Sequence, residues 1–165
     1  MTVNIRRTGK RSELDALIAA IQANTWVANS ALNSGAIANG TTNGKLKTVA
    51  DVAYRIGGVL YKKTATDDLW TLSGLATLST GQYRATLLLL NTSGTASIAS
   101  GSVKTTAADA LADAASGLDA AKAVIGVFVA GPSTNYANAL SGQGTIYNGL
   151  PDGVLNALPI ASVPS

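Results

Sequence analysis

Residues 122–131 read KAVIGVFVAG, and this stretch decides the fold class of the protein. After Lys122 it contains only apolar residues, several of them β-branched or aromatic, which is typical of a strand in a protein interior. A second apolar run, residues 87–90 within QYRATLLLLNTSG, is long enough for a strand that is buried on both faces. The two runs predict a β-rich core.

Shorter strand patterns lie on both sides of this core along the chain. Residues 49–65, VADVAYRIGGVLYKKTA, alternate in part, and Gly57 and Gly58 suit a turn, so the segment predicts a hairpin. Further short strands are predicted in DDLWTLSG, TASIASGSV and GTIYNGLP, which are residues 67–74, 95–103 and 144–151. The predicted fold is mainly β: a β-sandwich or barrel-like body with a short inserted helix, preceded by an N-terminal α-helix, in an oligomer.

Both helices are predicted from capping patterns. Thr106 and Asp109 open the Ala-rich segment ADALADAAS, which is the short inserted helix. Ser12 and Asp15 open a longer helix over residues 12–33. Its apolar positions recur at mixed spacings of three and four, and they are Leu14, Leu17, Ile18, Ile21, Ala28 and Leu32. This stripe either packs on its own domain or meets its copies as an oligomer interface, and we adopt the second interpretation.

The chain of 165 residues is long enough for one domain and too short for two of ordinary size. Its predicted parts are a basic N-terminal arm over residues 1–11, the helix, a linker over 34–47, a β-rich body over 48–153 and an extended tail over 154–165. Only 13% of the residues are charged, against about 25% in a typical soluble domain. A protein that hides part of its surface in an assembly accounts for this deficit.

Positive charge is concentrated in the arm. Arg6, Arg7, Lys10 and Arg11 lie there without an acidic residue. The rest of the chain, with 8 of the 12 basic residues and all 9 acidic ones, is net negative. Such an arm either contacts an acidic protein surface, nucleic acid or anionic lipid, or remains solvated.

The chain has no Cys and no His, which removes the thiolate and imidazole groups of common metal sites and nucleophilic enzymes. Asp67 and Asp68 are adjacent carboxylates that fit a polar turn better than a metal site, because neighbours on a strand point to opposite faces. No spacing sets a general base beside a nucleophile, and no Gly-rich phosphate loop occurs. We therefore expect no enzyme activity, no cofactor and no metal.

A membrane-spanning segment and a signal peptide are not expected either. Glu13, Asp15 and Gln22 interrupt the apolar stretch that a signal peptide needs, and glycine and polar residues interrupt the longest uncharged run, 123–151. Nucleic-acid binding by the body is not expected, because the body is net negative and carries few aromatic residues.

The blocks VADVAYRIGGVLYKKTATDDLWTLSG and GQYRATLLLLNTSGTAS, the Ala-rich helix, KAVIGVFVAG and GTIYNGLPDG follow one another over residues 48–153. In this order they resemble the head-decoration (cement) or head-fibre proteins of tailed phages. The resemblance implies a β-rich knob, an oligomer that is commonly a homotrimer, and attachment to the outer face of an icosahedral capsid. The arm and the N-terminal helix lie outside these blocks.

The leading hypothesis is a structural virion protein, made in the host cytoplasm, that decorates and stabilises the outer surface of the capsid. Its partners would be its own copies and the major capsid protein. Arg6, Arg7, Lys10 and Arg11 would bind acidic patches of the capsid, and the apolar stripe of the helix would form the trimer seam. The absence of Cys suits assembly in a reducing cytoplasm.

The alternative is a fibre-type module that binds a receptor or a carbohydrate on the host surface. Tyr136, in the Asn-containing loop 135–138, would then stack on a sugar. A scaffold-type or DNA-contacting capsid component is a third hypothesis, which strong salt-dependent DNA affinity would favour.

Overall fold

The predicted β-rich core is confirmed in the computed structural model, which describes residues 29–33, 35–115, 118–148 and 159–162. Within these ranges eleven strands and one helix follow one another along the chain. They are β1 (Ser30–Ala31), β2 (Ile37–Asn39), β3 (Lys45–Thr48), β4 (Val52–Ile56), β5 (Val59–Lys63), β6 (Trp70–Thr71), β7 (Arg84–Asn91), β8 (Ala96–Ser100), α1 (Ala107–Ala115), β9 (Lys122–Ala130), β10 (Gly144–Asn148) and β11 (Pro159–Ser162).

Strand β9, which contains the run KAVIGVFVA, lies at the centre of an eight-stranded sheet. It pairs with β7 over its whole length. On its other edge it pairs with β10 toward its C-terminal end and with β1 near its start. The sheet continues from β7 to β8, from β10 to β11, and from β1 through β4 to β5. The pairing of β1 with β9 is parallel, and the other pairings described are antiparallel.

A three-stranded sheet of β2, β3 and β6 packs on one face of the large sheet. Its Leu46 and Trp70 are buried in the same core cluster as Leu88 and Phe128 of the large sheet. Helix α1 covers the opposite face, where Leu111 packs in a cluster with residues of β7 and β9. Strands β7 and β9 are therefore buried on both faces, as the apolar run at 87–90 predicts for β7. Both sheets are open over the described ranges, so the barrel-like alternative is not formed.

The inserted helix and the hairpin are confirmed. The Asp109 N–H donates to Thr106 Oγ1 at 3.1 Å, and the Thr106 hydroxyl donates to the Asp109 carboxylate at 2.7 Å, which caps the start of α1. Strands β4 and β5 pair around the turn at Gly57 and Gly58. Over the described residues no helix has the length and apolar character needed to cross a membrane.

The prediction that a helix extends over residues 12–33 is wrong at its C-terminal end, and residues 12–28 lie outside the described ranges. Ser30 and Ala31 form β1 and are fully buried between β4 and β9. Strand pairing with two neighbours satisfies the backbone there, and this tertiary contact overrides the helical spacing that assigns Leu32 to the stripe.

The predicted linker over residues 34–47 is also wrong, because it contains β2 and most of β3. The Gly-, Asn- and Thr-rich residues between these strands are the turn of a hairpin. Leu46 is 0% exposed, so this segment belongs to the core. Of the predicted extended tail over residues 154–165, only residues 159–162 are described, and they form β11, which pairs with β10.

Candidate functional site

Most residues that the sequence assigns to partner contacts lie outside the described ranges. They are Arg6, Arg7, Lys10 and Arg11 of the arm and Leu14, Leu17, Ile18, Ile21 and Ala28 of the helix. Leu32, which follows β1, is described and is 42% exposed. Its N–H donates to the carbonyl of Ala53 in β4 at 2.8 Å. Leu32 thus presents apolar surface beside β4, and its part in an oligomer interface stays a prediction.

Asn29 fixes the point at which the N-terminal segment joins the body. Its side chain is buried, and the Nδ2 group donates to the carbonyl of Ala120 at 2.5 Å. Its Oδ1 accepts from the N–H of Gly57 at 2.7 Å. The N-terminal segment therefore enters the body beside the β4–β5 turn. The sequence pattern gives no signal for this role, because both partners are distant along the chain.

The outer strand of the large sheet, β5, carries an exposed apolar pair. Val59 is 56% and Leu60 is 69% exposed, and we call these two residues the β5 edge. Among the described strands β5 pairs only with β4, so its other side has unpaired backbone groups. An exposed apolar pair on a free strand edge is typical of a surface that contacts another chain.

Most of the charged side chains in the body neutralise one another. Five Lys–Asp ion pairs occur within the described ranges. They are Lys45–Asp68, Lys47–Asp67, Lys62–Asp51, Lys104–Asp113 and Lys122–Asp119. The hydrogen bond from Lys62 holds the pKa of the Asp51 carboxyl below its ordinary value, with a smaller contribution from the Ala65 N–H. Five of the eight basic side chains in the described ranges are therefore neutralised by an Asp of the same chain.

Asp67 and Asp68 lie in a turn, as predicted, and join the turn between β2 and β3 to the segment before β6. The Thr41 N–H donates to Asp67 at 3.1 Å and the Thr42 N–H to Asp68 at 3.0 Å, and both Thr hydroxyls donate to the same carboxylates. These hydroxyl contacts are the main reason that the pKa values of both carboxyls are lowered. The two acids act as structural hydrogen-bond acceptors.

A groove of about 450 Å³ opens on the helix-bearing face of the large sheet. Val129 of β9 lies in it, Tyr83 comes from the residue before β7, and Tyr147 comes from β10 on the other side of β9. Ala107 adds the first residue of α1, and the β9–β10 connection supplies residues 131–134 and 142–143. We call this site the tyrosine groove.

Two polar side chains of the tyrosine groove are already used inside the β9–β10 connection. The Thr134 hydroxyl lies within hydrogen-bonding distance of the carbonyls of Gly131 and Gln143, at 2.8 and 2.7 Å, and donates between them. The Gln143 side chain accepts from the Asn135 N–H at 2.7 Å and donates to the Ala139 carbonyl. These bonds hold the connection in one shape, so the wall that it forms is ordered before any ligand arrives.

Tyr136 cannot stack on a sugar, and this part of the carbohydrate hypothesis is wrong. The side chain is 0% exposed and packs edge-on against Phe128, with ring centroids 6.5 Å apart. The Arg84 guanidinium carbon lies 5.9 Å from the Tyr136 ring centroid. Burial raises the pKa of the Tyr136 hydroxyl. The loop that looks polar in sequence folds its aromatic residue into the core.

Asp113 fastens helix α1, and with it one wall of the tyrosine groove, to the segment after β8. Its carboxylate accepts from the N–H and the hydroxyl of Ser102 at 2.7 and 2.8 Å and pairs with Lys104 Nζ at 2.9 Å. The hydrogen bond from Lys104 and those from Ser102 lower the pKa of the Asp113 carboxyl from 3.8 to about 2.

The lowered pKa predicts a loss of stability in acid. The unfolded chain takes up this proton near pH 3.8 and the folded protein only near pH 2, so the stabilisation is present above that interval and is lost as the pH falls through it. We expect Asp113→Asn to reduce the fall in melting temperature between pH 5 and pH 2, because the variant lacks the titrating group. Thermal unfolding followed by circular dichroism measures this fall in melting temperature. Equal falls in the variant and the unchanged protein would contradict the assignment of the acid-dependent loss of stability to Asp113.

Comparison with known proteins finds no matching family model, no matching curated protein and no matching solved structure.

Proposed function

We propose that the protein is a structural virion component that decorates the outer surface of a tailed-phage capsid as a homotrimer. The β body is the exposed knob. The basic arm, with Arg6, Arg7, Lys10 and Arg11, binds the major capsid protein. The chains associate through the β5 edge and through the apolar stripe of Leu14, Leu17, Ile18 and Ile21. The observation that carries the proposal is the β5 edge, an exposed apolar surface on the strand that follows the turn to which Asn29 is bonded.

The position of this edge supports the proposal. Asn29 ties the start of the body to the turn at Gly57, and Val59 begins the strand that follows this turn. Self-association at the β5 edge would therefore bring together several copies of Asn29, the residue at which the N-terminal segment joins the body. Arms that act together bind a repeating surface with an avidity that one arm lacks.

The distribution of charge supports the assignment of capsid binding to the arm. The five Lys–Asp pairs neutralise five of the eight basic side chains in the described ranges. The arm carries four cations and no acid. Arg and Lys side chains form charge-assisted bonds with carboxylates, so an acidic patch on a capsid is a suitable partner.

The proposal can be tested on virions that are purified from a lysate in which the gene is expressed. We expect many copies of the protein on the outer face of the particle in electron microscopy. Deleting residues 2–11 should reduce occupancy at least tenfold, because the charge-assisted contacts are lost, while the mass in light scattering stays at three times that of the shortened chain. Unchanged occupancy, or a location inside the particle, would contradict the proposal.

A charge at the β5 edge tests the association step separately. Val59→Lys should shift the mass toward that of one chain, because a lysine cannot be buried there without a partner. Val103→Lys is the matched control, since Val103 is also exposed, at 37%, but lies before α1. Equal masses for the two variants would remove the β5 edge from the interface.

A further inference from the structure

We propose that the tyrosine groove is a binding site for a neutral carbohydrate. Its volume, about 450 Å³, falls in the range of small-molecule sites, which is about 300–1,000 Å³. None of the described residues that line it is Asp, Glu, Lys or Arg. An uncharged site of this size does not offset the desolvation of a phosphate, sulfate or carboxylate, which favours a neutral ligand.

The two tyrosines supply the contacts that a sugar needs. A sugar ring has apolar C–H faces and a rim of hydroxyl groups. Tyr83 and Tyr147 each present an apolar ring and a hydroxyl, and both are partly buried against the core cluster under α1. Such rings make large contacts and lose little conformational entropy, because each has only two side-chain torsions.

Hydrogen-bonding groups lie next to these rings. Thr145 pairs with Val129 on the neighbouring strand, and its side chain lies on the same face of β10 as that of Tyr147. Ser133 is exposed in the β9–β10 connection at the rim of the groove. Hydroxyl groups both donate and accept, so they match the mixed donors and acceptors of a sugar rim.

Rigid elements hold the tyrosine groove in shape. The Tyr83 backbone exchanges two hydrogen bonds with Lys104, at 2.8 and 2.9 Å. Tyr147 is paired with Val127 in the large sheet, and Asp113 fastens α1 to the segment that contains Lys104. A site that needs little reordering loses less free energy on binding. The inference is independent of capsid attachment, because the tyrosine groove lies on the helix-bearing face and uses none of the residues of the arm.

A glycan array probed with the full-length protein tests the inference. The array carries glycans that end in glucose, galactose, N-acetylglucosamine or rhamnose, together with sialylated and sulfated glycans. We expect binding to at least one neutral class. Saturation-transfer NMR with the corresponding free sugar should show at least a tenfold loss of affinity for Tyr147→Ala, because the stacking surface is removed.

Tyr147→Ala also removes a contact with the core, so a second variant is needed. It fills the groove instead of emptying it. Thr145→Phe adds a ring in the groove and keeps the core contacts, so we expect it to abolish binding without loss of the folded circular dichroism signal. Thr71→Phe is the matched control, because Thr71 is an exposed strand residue in the small sheet. Binding of anionic glycans only, no binding to any neutral glycan, or equal binding by Thr145→Phe and Thr71→Phe would overturn the inference.

Discussion

Replacing Trp70 with Ala is expected to lower the free energy of unfolding by about 3 to 5 kcal/mol. The Trp70 side chain is 1% exposed and lies in the core between the two sheets. Its indole Nε1 donates to the carbonyl of Leu89 in β7 at 3.1 Å. The substitution therefore removes a large apolar volume and a hydrogen bond that joins the layers.

Urea denaturation followed by circular dichroism measures the effect. Trp70→Phe is the control, since it keeps an aromatic ring and loses the hydrogen bond; we expect it to cost about 1 to 3 kcal/mol. If Trp70→Ala cost less than Trp70→Phe, the small sheet would not depend on this contact, and the two-layered core would need revision.

Gly44→Ala is expected to be the second most damaging change, with a cost of at least about 3 kcal/mol. Gly44 has a φ of +70°, and a Cβ atom there would collide with the Tyr136 carbonyl oxygen and lie 2.7 Å from Ser73 Cβ. The Gly44 N–H also donates to the carbonyl of Asn138 at 2.9 Å, and its carbonyl accepts from the Leu72 N–H at 2.8 Å. The collision would push apart three segments that meet at this glycine.

Gly142→Ala separates the collision from the backbone strain. Gly142 has a φ of +71°, and a Cβ atom there would meet nothing within 4 Å. It should therefore show only the cost of the left-handed conformation, about 1 to 2 kcal/mol. Chemical denaturation of both variants gives the comparison, and equal costs would mean that the contact at Gly44 relaxes without loss.

Local sequence pattern predicts three features of this fold: a strand that is buried on both faces, the turn of a hairpin and the start of the helix. The run at 87–90 indicates a strand with no exposed face, and Gly57 and Gly58 indicate the turn of the β4–β5 hairpin. The capping pair Thr106 and Asp109 indicates the start of α1. The turn and the cap depend on residues that are close together in sequence, and the strand is marked by an unbroken apolar composition.

Strands β1, β2 and β3 are not predicted. Strand β1 has two residues, and its neighbours in the sheet come from β4 and β9. Strands β2 and β3 contain Asn, Lys and Thr, so their composition resembles that of a linker. The structure shows that Leu46 of β3 is buried in the core. In β1, pairing with distant strands overrides local propensity, and in β2 and β3 the burial of Leu46 against the large sheet does so.

The tyrosine groove illustrates the same limit. The period-2 alternation of GTIYNGLP sets Thr145 and Tyr147 on one face, and this much is readable from sequence. Tyr83 and Ala107 join them because β7 and α1 pack against β9, which no spacing along the chain indicates. The prediction that Tyr136 contacts a sugar is wrong because its polar neighbours in sequence do not reveal that the ring is buried.

The parallel pairing of Ser30 with Val124 sets an order of events during synthesis. At about 5 to 20 residues per second, a ribosome adds Val124 roughly 5 to 20 s after Ser30. Throughout this delay β1, the strand that follows the N-terminal segment, lacks β9, which is one of its two neighbours. A nascent chain thus cannot complete its large sheet before most of the polypeptide has emerged, and truncated translation products are left without a finished fold.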